Sequence, residues 1–463
     1  MVDPRLKSLD GRSRRNFLKW TAAVGAVIGL DRAKFLDVLS DSAGSAMADA
    51  AACNATCQSV HIVAGDGGFA WFQLLFPHVE IAKANNDNFA FHQNGSQNVK
   101  DAVDTDKPFV FAPETPWQNR ADPTKRISAF MAGQNQTHTR TPLSAASVGN
   151  GQSILAVAAA IQRATPSLIP VITVDDVPFG TAPGVPDQTN VGSSSAIVDL
   201  FDSAASRATL AIHEDAALYE AYYKAYLSLV RAANKPTALR PLRTGKAAAN
   251  FLGKNLSNLL KPSDDDLARY GITGGTPTKL SEIGRTLITA AKAFKNGLTQ
   301  SVVLPAMRDD PHGAFQDMAN VRDTVAALGR YLDEFLVDLD VQDPSCSSSG
   351  ARMSDSVVLT IHGDTPKNPR DRGGWPDGTP GDSNWIYVLG NGYLKTGWFG
   401  GVKADGSVMT FDPKTGADVA GSSASTSAAA GAAVAYAIAK GDSKRVADFN
   451  DINIGGIVNQ AVL

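Results

Sequence analysis

Apolar positions in this chain fall into short unbroken runs separated by stretches of helical spacing. Residues 59–64 (SVHIVA) form the first run and lead straight into Gly65-Asp66-Gly67-Gly68. Residues 167–174, 302–306, 356–361 and 385–389 have the same character, and 107–112 is a further strand candidate. Short continuous apolar runs rich in Val and Ile, bounded by turn residues, are the mark of strands buried on both faces. Between them, residues 73–84, 152–163 and 318–339 predict helices, and 127–131 predicts a short helical fragment. Strands alternating with helices favour a mostly parallel sheet with helices on both faces. The expected fold class is therefore α/β.

The middle of the chain changes character. Residues 205–234, 247–260 and 280–298 carry helical spacing of Leu, Tyr and Ala, punctuated by Pro236, Pro241, Pro262 and a Gly-Gly-Thr-Pro turn at 274–277. This pattern predicts a helical insertion at about 205–300 within one α/β domain spanning 51–463. Residues 422–440 predict a helix of small residues.

The first 50 residues read differently. Ser13-Arg14-Arg15-Asn16-Phe17-Leu18-Lys19 has the grammar of a twin-arginine export signal, and the apolar run 21–30 follows at once. A basic segment ahead of a short apolar one is a targeting device rather than a fold element. Ala46-Met47-Ala48 and Ala48-Asp49-Ala50 both satisfy a small-x-small cleavage rule. The expectation is export by the Tat machinery, with Arg14 and Arg15 as the recognised pair, to the periplasm or the extracellular space.

Charge and cysteine content narrow the function. With 43 Lys+Arg against 46 Asp+Glu the net charge is −3, which argues against nucleic acid as a partner. No apolar run approaches the roughly 18 residues of a membrane-spanning helix. Three cysteines are too few for a disulfide scaffold. Cys53 and Cys57, four apart, either pair in an oxidising compartment, leaving Cys346 over, or remain free thiols.

Candidate chemistry collects at the ends of predicted strands. Asp309-Asp310-Pro311-His312-Gly313 follows the 302–306 strand, and Asp310 with His312 makes a carboxylate–imidazole pair of the kind that ligates zinc; the alternative is a solvated turn. His362 and Asp364, ending the 356–361 strand, can join them. The Gly65–Gly68 turn, which carries Asp66, offers backbone N–H groups to an anion. Thr137-His138-Thr139-Arg140 is a weaker anion-binding candidate. Neither a Gly-x-Ser-x-Gly elbow nor a His-Glu-x-x-His helix is present.

The order of these blocks resembles the Tat-exported bacterial proteins of the domain-of-unknown-function family 1501, within the alkaline phosphatase and sulfatase superfamily. Residues 67–77 match in length the family's opening Gly-Gly-Asn-Asp-Gly block. Asp309–Gly313 stands where the family has Trp-Asp-Thr-His-Gly, Ile361–Pro366 where it has Glu-Phe-Gly-Arg-Thr-Pro, and Gly381–Trp385 where it has Gly-x-Asp-His. The resemblance implies an alkaline-phosphatase-like fold with divalent metals at strand ends. Only Asp310 and His312 keep the implied ligand types. The other positions read Ala70, Ile361, Asp364, Ser383 and Asn384, so Asp66, His362, Asp364 or Asp382 would have to complete a rearranged site. Two ligands plus water hold zinc or calcium feebly, and the expectation is a pseudoenzyme acting in binding or assembly, with a small anionic ligand or another exported protein as partner. The alternative is a metal-dependent phosphate- or sulfate-ester hydrolase, with Thr137, Thr139 or Ser144 as nucleophile candidates. A third reading, carbohydrate binding, rests on Trp375, Trp385, Trp398 and Tyr393.

Overall fold

The computed structural model describes residues 54–63, 75, 98–111, 127–133, 147–165, 167–201, 256–306, 318–346, 350–363, 384–403 and 407–459. At its centre is an eight-stranded sheet. Its strands are β1 (Gln58–Val63), β2 (Ile127–Met131), β3 (Ile169–Val174), β4 (Gln188–Val191), β5 (Thr299–Pro305), β6 (Val357–His362), β7 (Trp385–Leu389) and β8 (Gly397–Phe399). They lie side by side in the order β8-β2-β7-β6-β1-β5-β3-β4. Pairing is parallel throughout except around β7, which runs antiparallel to both β6 and β2. The fold is therefore α/β with a large, mixed, mostly parallel sheet, and the five strongest predicted strands all belong to it.

The helices divide between the two faces, as the alternation of strand side chains requires. On one face Val60, Ile62, Leu359 and Ile361 pack in a single cluster with α4 (Thr278–Lys295) and α5 (Met318–Asp338). Both helices are amphipathic, with an apolar stripe on the core and charges on the solvent side. On the other face Val63, Val303 and Val358 meet α1 (Ile154–Gln162) and α6 (Ser427–Ile438). These two are apolar nearly all round and rich in Ala, as suits helices buried on every side. Ser153 caps α1, its hydroxyl accepting from the Ala156 N–H at 3.1 Å.

Residues 127–131 correct the sequence reading. They are a strand, not a helical fragment, and all five are buried between β7 and β8. A short run of four apolar residues interrupted by Ser128 fits a doubly covered strand and a buried helical turn equally well, and tertiary pairing decides. The 107–112 candidate is a strand at Phe109–Phe111, but it pairs with Asn98–Lys100 in a separate two-stranded sheet. A three-stranded antiparallel sheet follows β8 at Gly401–Val402, Val408–Phe411 and Asp418–Ala420.

Within the predicted insertion, the described part is helical: Leu256–Leu260, then α3 (Asp264–Tyr270), then α4. Ser263 and Asp266 form a capping box on α3, and Gly271 ends it in the left-handed conformation at φ 74°. α4 is not remote from the sheet. It packs on β5 and leads into it, the Leu298 N–H donating to the Ala293 carbonyl at the turn.

Candidate functional site at the carboxyl edge of the sheet

Strands β1, β5 and β6 are neighbours and end together: Val63 is in register with Pro305 on one side and His362 on the other. The Ala306 N–H donates to the Val63 carbonyl at 2.9 Å, holding the first and second exits side by side. In open α/β sheets ligands bind outside the carboxyl ends of the strands. The segments that carry Asp66, Asp310 with His312, and Asp364 follow these three adjacent strand ends in the sequence. Asp66, Asp310, His312, Asp364 and Asp382 themselves lie outside the described residues, as do Thr137, His138, Thr139, Arg140, Ser144 and the Arg14–Arg15 pair.

His362 is the one proposed ligand within the described residues. It is the last residue of β6 and is fully buried. Alternation along β6 places Thr360 and His362 on the same face as Val358, beneath the Ala-rich helices, and the parallel register with β1 sets His61 opposite Thr360. The three side chains form one hydrogen-bonded chain. His61 Nδ1 lies 2.7 Å from Thr360 Oγ1, and Thr360 Oγ1 lies 2.7 Å from His362 Nε2. The two imidazole rings are 6.0 Å apart, tilted by 49°. His61 Nε2 is buried and has no hydrogen-bond partner among the described residues. Burial, and secondarily the neighbouring His362, holds the His61 pKa well below the ordinary imidazole value, so the ring is neutral.

The same face carries other buried polar groups. Gln162, at the end of α1, donates from Nε2 toward the Cys57 and Gln300 carbonyls and the Ser59 hydroxyl at 2.8–3.0 Å. Ser59 in turn reaches Ser301 at 3.2 Å.

At the start of β7, Asn384 is 1 % exposed and its Oδ1 accepts from the Trp385 N–H at 2.7 Å. The Gly363 N–H donates to the Trp385 carbonyl at 2.8 Å, continuing the β6–β7 pairing by one residue. A Cβ on Gly363 would stand 2.7 Å from that same carbonyl oxygen, and one on Gly133 would stand 3.1 Å from Asn384 Cγ. Asn384 is thus wedged between two glycines. Ile361, the position the resemblance assigns to a family glutamate, is fully buried on the opposite face of the sheet. Among the described residues no group of three or more His, Cys, Asp or Glu side chains is placed to hold a metal ion.

Two of the aromatic residues behind the carbohydrate reading are core. Trp385 and Trp398 are 2 % and 0 % exposed, and Trp398 packs edge-on against Tyr387. Trp375 lies outside the described residues. Cys57 is a free, fully buried thiol whose Sγ accepts from Asn391 Nδ2 at 2.9 Å, while Cys346 is disulfide-bonded. The Cys53–Cys57 pairing does not form. Cys57 sits in the apolar layer under α6, turned away from the surface by the pattern that begins β1.

Sequence reasoning missed His61 as a partner of His362. The alternating Thr360-x-His362 pattern was the available signal, but the match to His61 depends on the register of strands almost 300 residues apart. It also gave no sign of a cleft of about 450 Å³ bordered by α2 (Ser194–Leu200), α4 and the 256–260 helix. Within that cleft Glu282 accepts from the Ser194 N–H at 3.1 Å and from its hydroxyl at 2.8 Å, and Lys261 and Arg285 also line it.

A family model of the twin-arginine translocation pathway signal sequence matches residues 13–30. No curated protein and no solved structure matches the chain. The protein is exported by the Tat pathway, to the periplasm or the extracellular space, and the Tat machinery handles that step. Among the described residues no helix is long and apolar enough to cross a membrane.

Proposed function

We propose that this is an alkaline-phosphatase-like exported protein, a single α/β domain over 51–463, that uses the carboxyl edge of its sheet to bind a small anionic ligand or another exported protein and does not hydrolyse esters. The observation that supports this reading most is the state of the polar groups at that edge. Asn384 is occupied by the Trp385 backbone and wedged by Gly133 and Gly363. His61, Thr360 and His362 are hydrogen-bonded to one another. A hydrolytic metal needs about three protein ligands with one position open. Against that requirement the chain brings Asp310 and His312 as its matching pair, with Asp66 and His362 as substitutes.

The competing reading, a metal-dependent ester hydrolase with a rearranged ligand set, draws on the register of Val63, Pro305 and His362, which starts the Asp66, Asp310 and Asp364 segments from neighbouring strand ends. Metal analysis of protein purified after export separates the two. The binding reading expects less than one zinc or calcium per chain, no measurable turnover of generic phosphate or sulfate esters, and little change in the Asp310→Ala/His312→Ala double variant. One tightly held divalent ion per chain, lost in that variant together with an esterase activity, would establish the hydrolase.

A further inference from the structure

The chain holds three cysteines, of which Cys57 is a free thiol and Cys346 is disulfide-bonded. Within one chain the only sulfur left for Cys346 is that of Cys53. Burial argues against a bond to a second copy: Cys346 is 2 % exposed, so its sulfur is enclosed by its own chain.

The topology brings the two cysteine-bearing segments to one place. β1 and β6 are parallel neighbours whose first residues, Gln58 and Val357, stand in register. Cys53 comes shortly before the one in the sequence and Cys346 shortly before the other, so both segments enter the sheet at its amino edge. The lead into β1 is pinned there. The Cys57 N–H donates to the Ile438 carbonyl at 2.8 Å, the Thr56 and Thr165 hydroxyls lie 2.7 Å apart, and Arg445 donates to the Ala55 carbonyl at 3.1 Å. The lead into β6 folds back on itself through an antiparallel bridge between Gln342 and Arg352, and the Cys346 N–H donates to the Asp343 carbonyl at 3.1 Å. The two leads are close to each other. Burial is the main cause of the raised Cys57 pKa, and the Asp343 and Asp355 carboxylates add to it, an effect that requires proximity.

We propose that Cys53 and Cys346 are partners, and that their bond is a latch closed after translocation, fastening the segment between export signal and domain to the amino edge of the sheet. The latch uses none of the residues of the carboxyl-edge reading and goes beyond it. The cytoplasm keeps thiols reduced, whereas the compartment outside it is oxidising. There the thiolate of one cysteine attacks a disulfide-bearing oxidant of that compartment, breaking the oxidant's S–S bond and forming a mixed disulfide. The second thiolate attacks the protein sulfur of that mixed bond and releases the oxidant as a dithiol. Both cysteine protons and two electrons leave with it. Cys57, four residues from Cys53, does not compete: its thiol is buried, its pKa is pushed up to about 12, and its Sγ accepts from Asn391. Cleavage at either small-x-small site, 46–48 or 48–50, leaves Cys53 among the first residues of the mature chain. The latch therefore holds the new amino terminus.

The test is mass mapping of the exported protein, alkylated with iodoacetamide in urea and digested without reduction. The expected product is one joined peptide pair, linking residues 53 and 346, with a single alkyl group on Cys57. The link persists in Cys57→Ala and is lost in Cys53→Ala. Signal-bearing precursor from the cytoplasm, acid-quenched before alkylation, should carry an alkyl group on every cysteine and no link. Cys346 joined to Cys57 or to a second chain, or alkylated without reduction, overturns the pairing. A link already present in the precursor overturns the order of events. Thermolysin cleavage ahead of β1 reads the fastening: it should be several-fold faster in Cys53→Ala than in the unmodified protein, and equal rates overturn the latch. If that variant does not fold, the unmodified protein held in reductant under native conditions supplies the same comparison.

Discussion

Gly431, in the middle of α6, lies so close to Ser147 that a Cβ built on it would stand 2.8 Å from the Ser147 carbonyl oxygen. The Ser147 N–H is tied to the same helix, donating to the Ser427 hydroxyl at 3.0 Å. The contact is against backbone and cannot be relieved by a rotamer change. Gly431→Ala is therefore expected to cost about 1–3 kcal/mol, the range for overpacking a tight core. Gly192, with nothing within 4 Å of a built Cβ, is the control, and its Ala variant should stay within about 0.5 kcal/mol. Urea denaturation of the two variants checks the difference.

Stability should fall as pH drops below that of an ordinary histidine. His61 is neutral in the folded chain because burial, then His362, lowers its pKa, whereas in the unfolded chain it titrates near 6.5. Below that value the unfolded state binds a proton that the folded state refuses. Its contribution is thus complete above about pH 6.5 and declines toward acid, by at most about 1.4 kcal/mol per pH unit. Denaturation midpoints across pH 4–8, compared with those of His61→Gln, measure this part of the slope. The variant should show a shallower acid decline.

Thiol chemistry should be silent in the native protein. Burial pushes the Cys57 pKa up to about 12, and the group is fully enclosed. A thiolate is the reactive species, so both access and ionisation are missing. Iodoacetamide is expected to leave Cys57 unmodified until the chain is unfolded, and the Cys346 peptide should be alkylated only after reduction. Peptide mass mapping under the three conditions reads both.

Replacing Arg14 and Arg15 together by Lys should leave the protein in the cytoplasm, because the paired guanidinium groups lie within the matched signal. Cell fractionation reads the outcome, and normal export of the double variant would contradict it.

The strands that could be read from sequence were those whose apolar run had no competing explanation. Residues 59–64 and 356–361 are rich in β-branched side chains and close on turn residues. Ile127–Met131 carries a single β-branched residue, Ile127, so its composition does not favour a strand over a helical turn. The edge strands β4 and β8 were not foreseen. β4 is largely polar and exposed, and β8 is three residues long, so neither carries a pattern of its own. That β1, β5 and β6 share one sheet was legible in the alternation of strands and helices, whereas their standing as neighbours that end together is seen only in their register. The His61–Thr360 contact could not, since no local spacing encodes which residue of a distant strand stands alongside. Ile361 and Asn384 were legible as departures, and the structure adds what each does instead: one fills the core, the other caps the start of β7.

The position of β1 also has a temporal meaning. Among the described strands of the main sheet it is the earliest along the chain, yet it lies among the central strands, and its two neighbours come 242 and 299 residues later at Ser301 and Thr360. At roughly 5–20 residues per second of synthesis, about 15–60 s pass before β6 can leave the ribosome and close against it. Throughout that interval the export signal is already outside the ribosome while the sheet it accompanies has no centre. The cargo therefore reaches its folded form only after translation is nearly complete. A translocation route that accepts finished proteins matches that order of events, whereas one that threads a growing chain would carry β1 away before its partners exist.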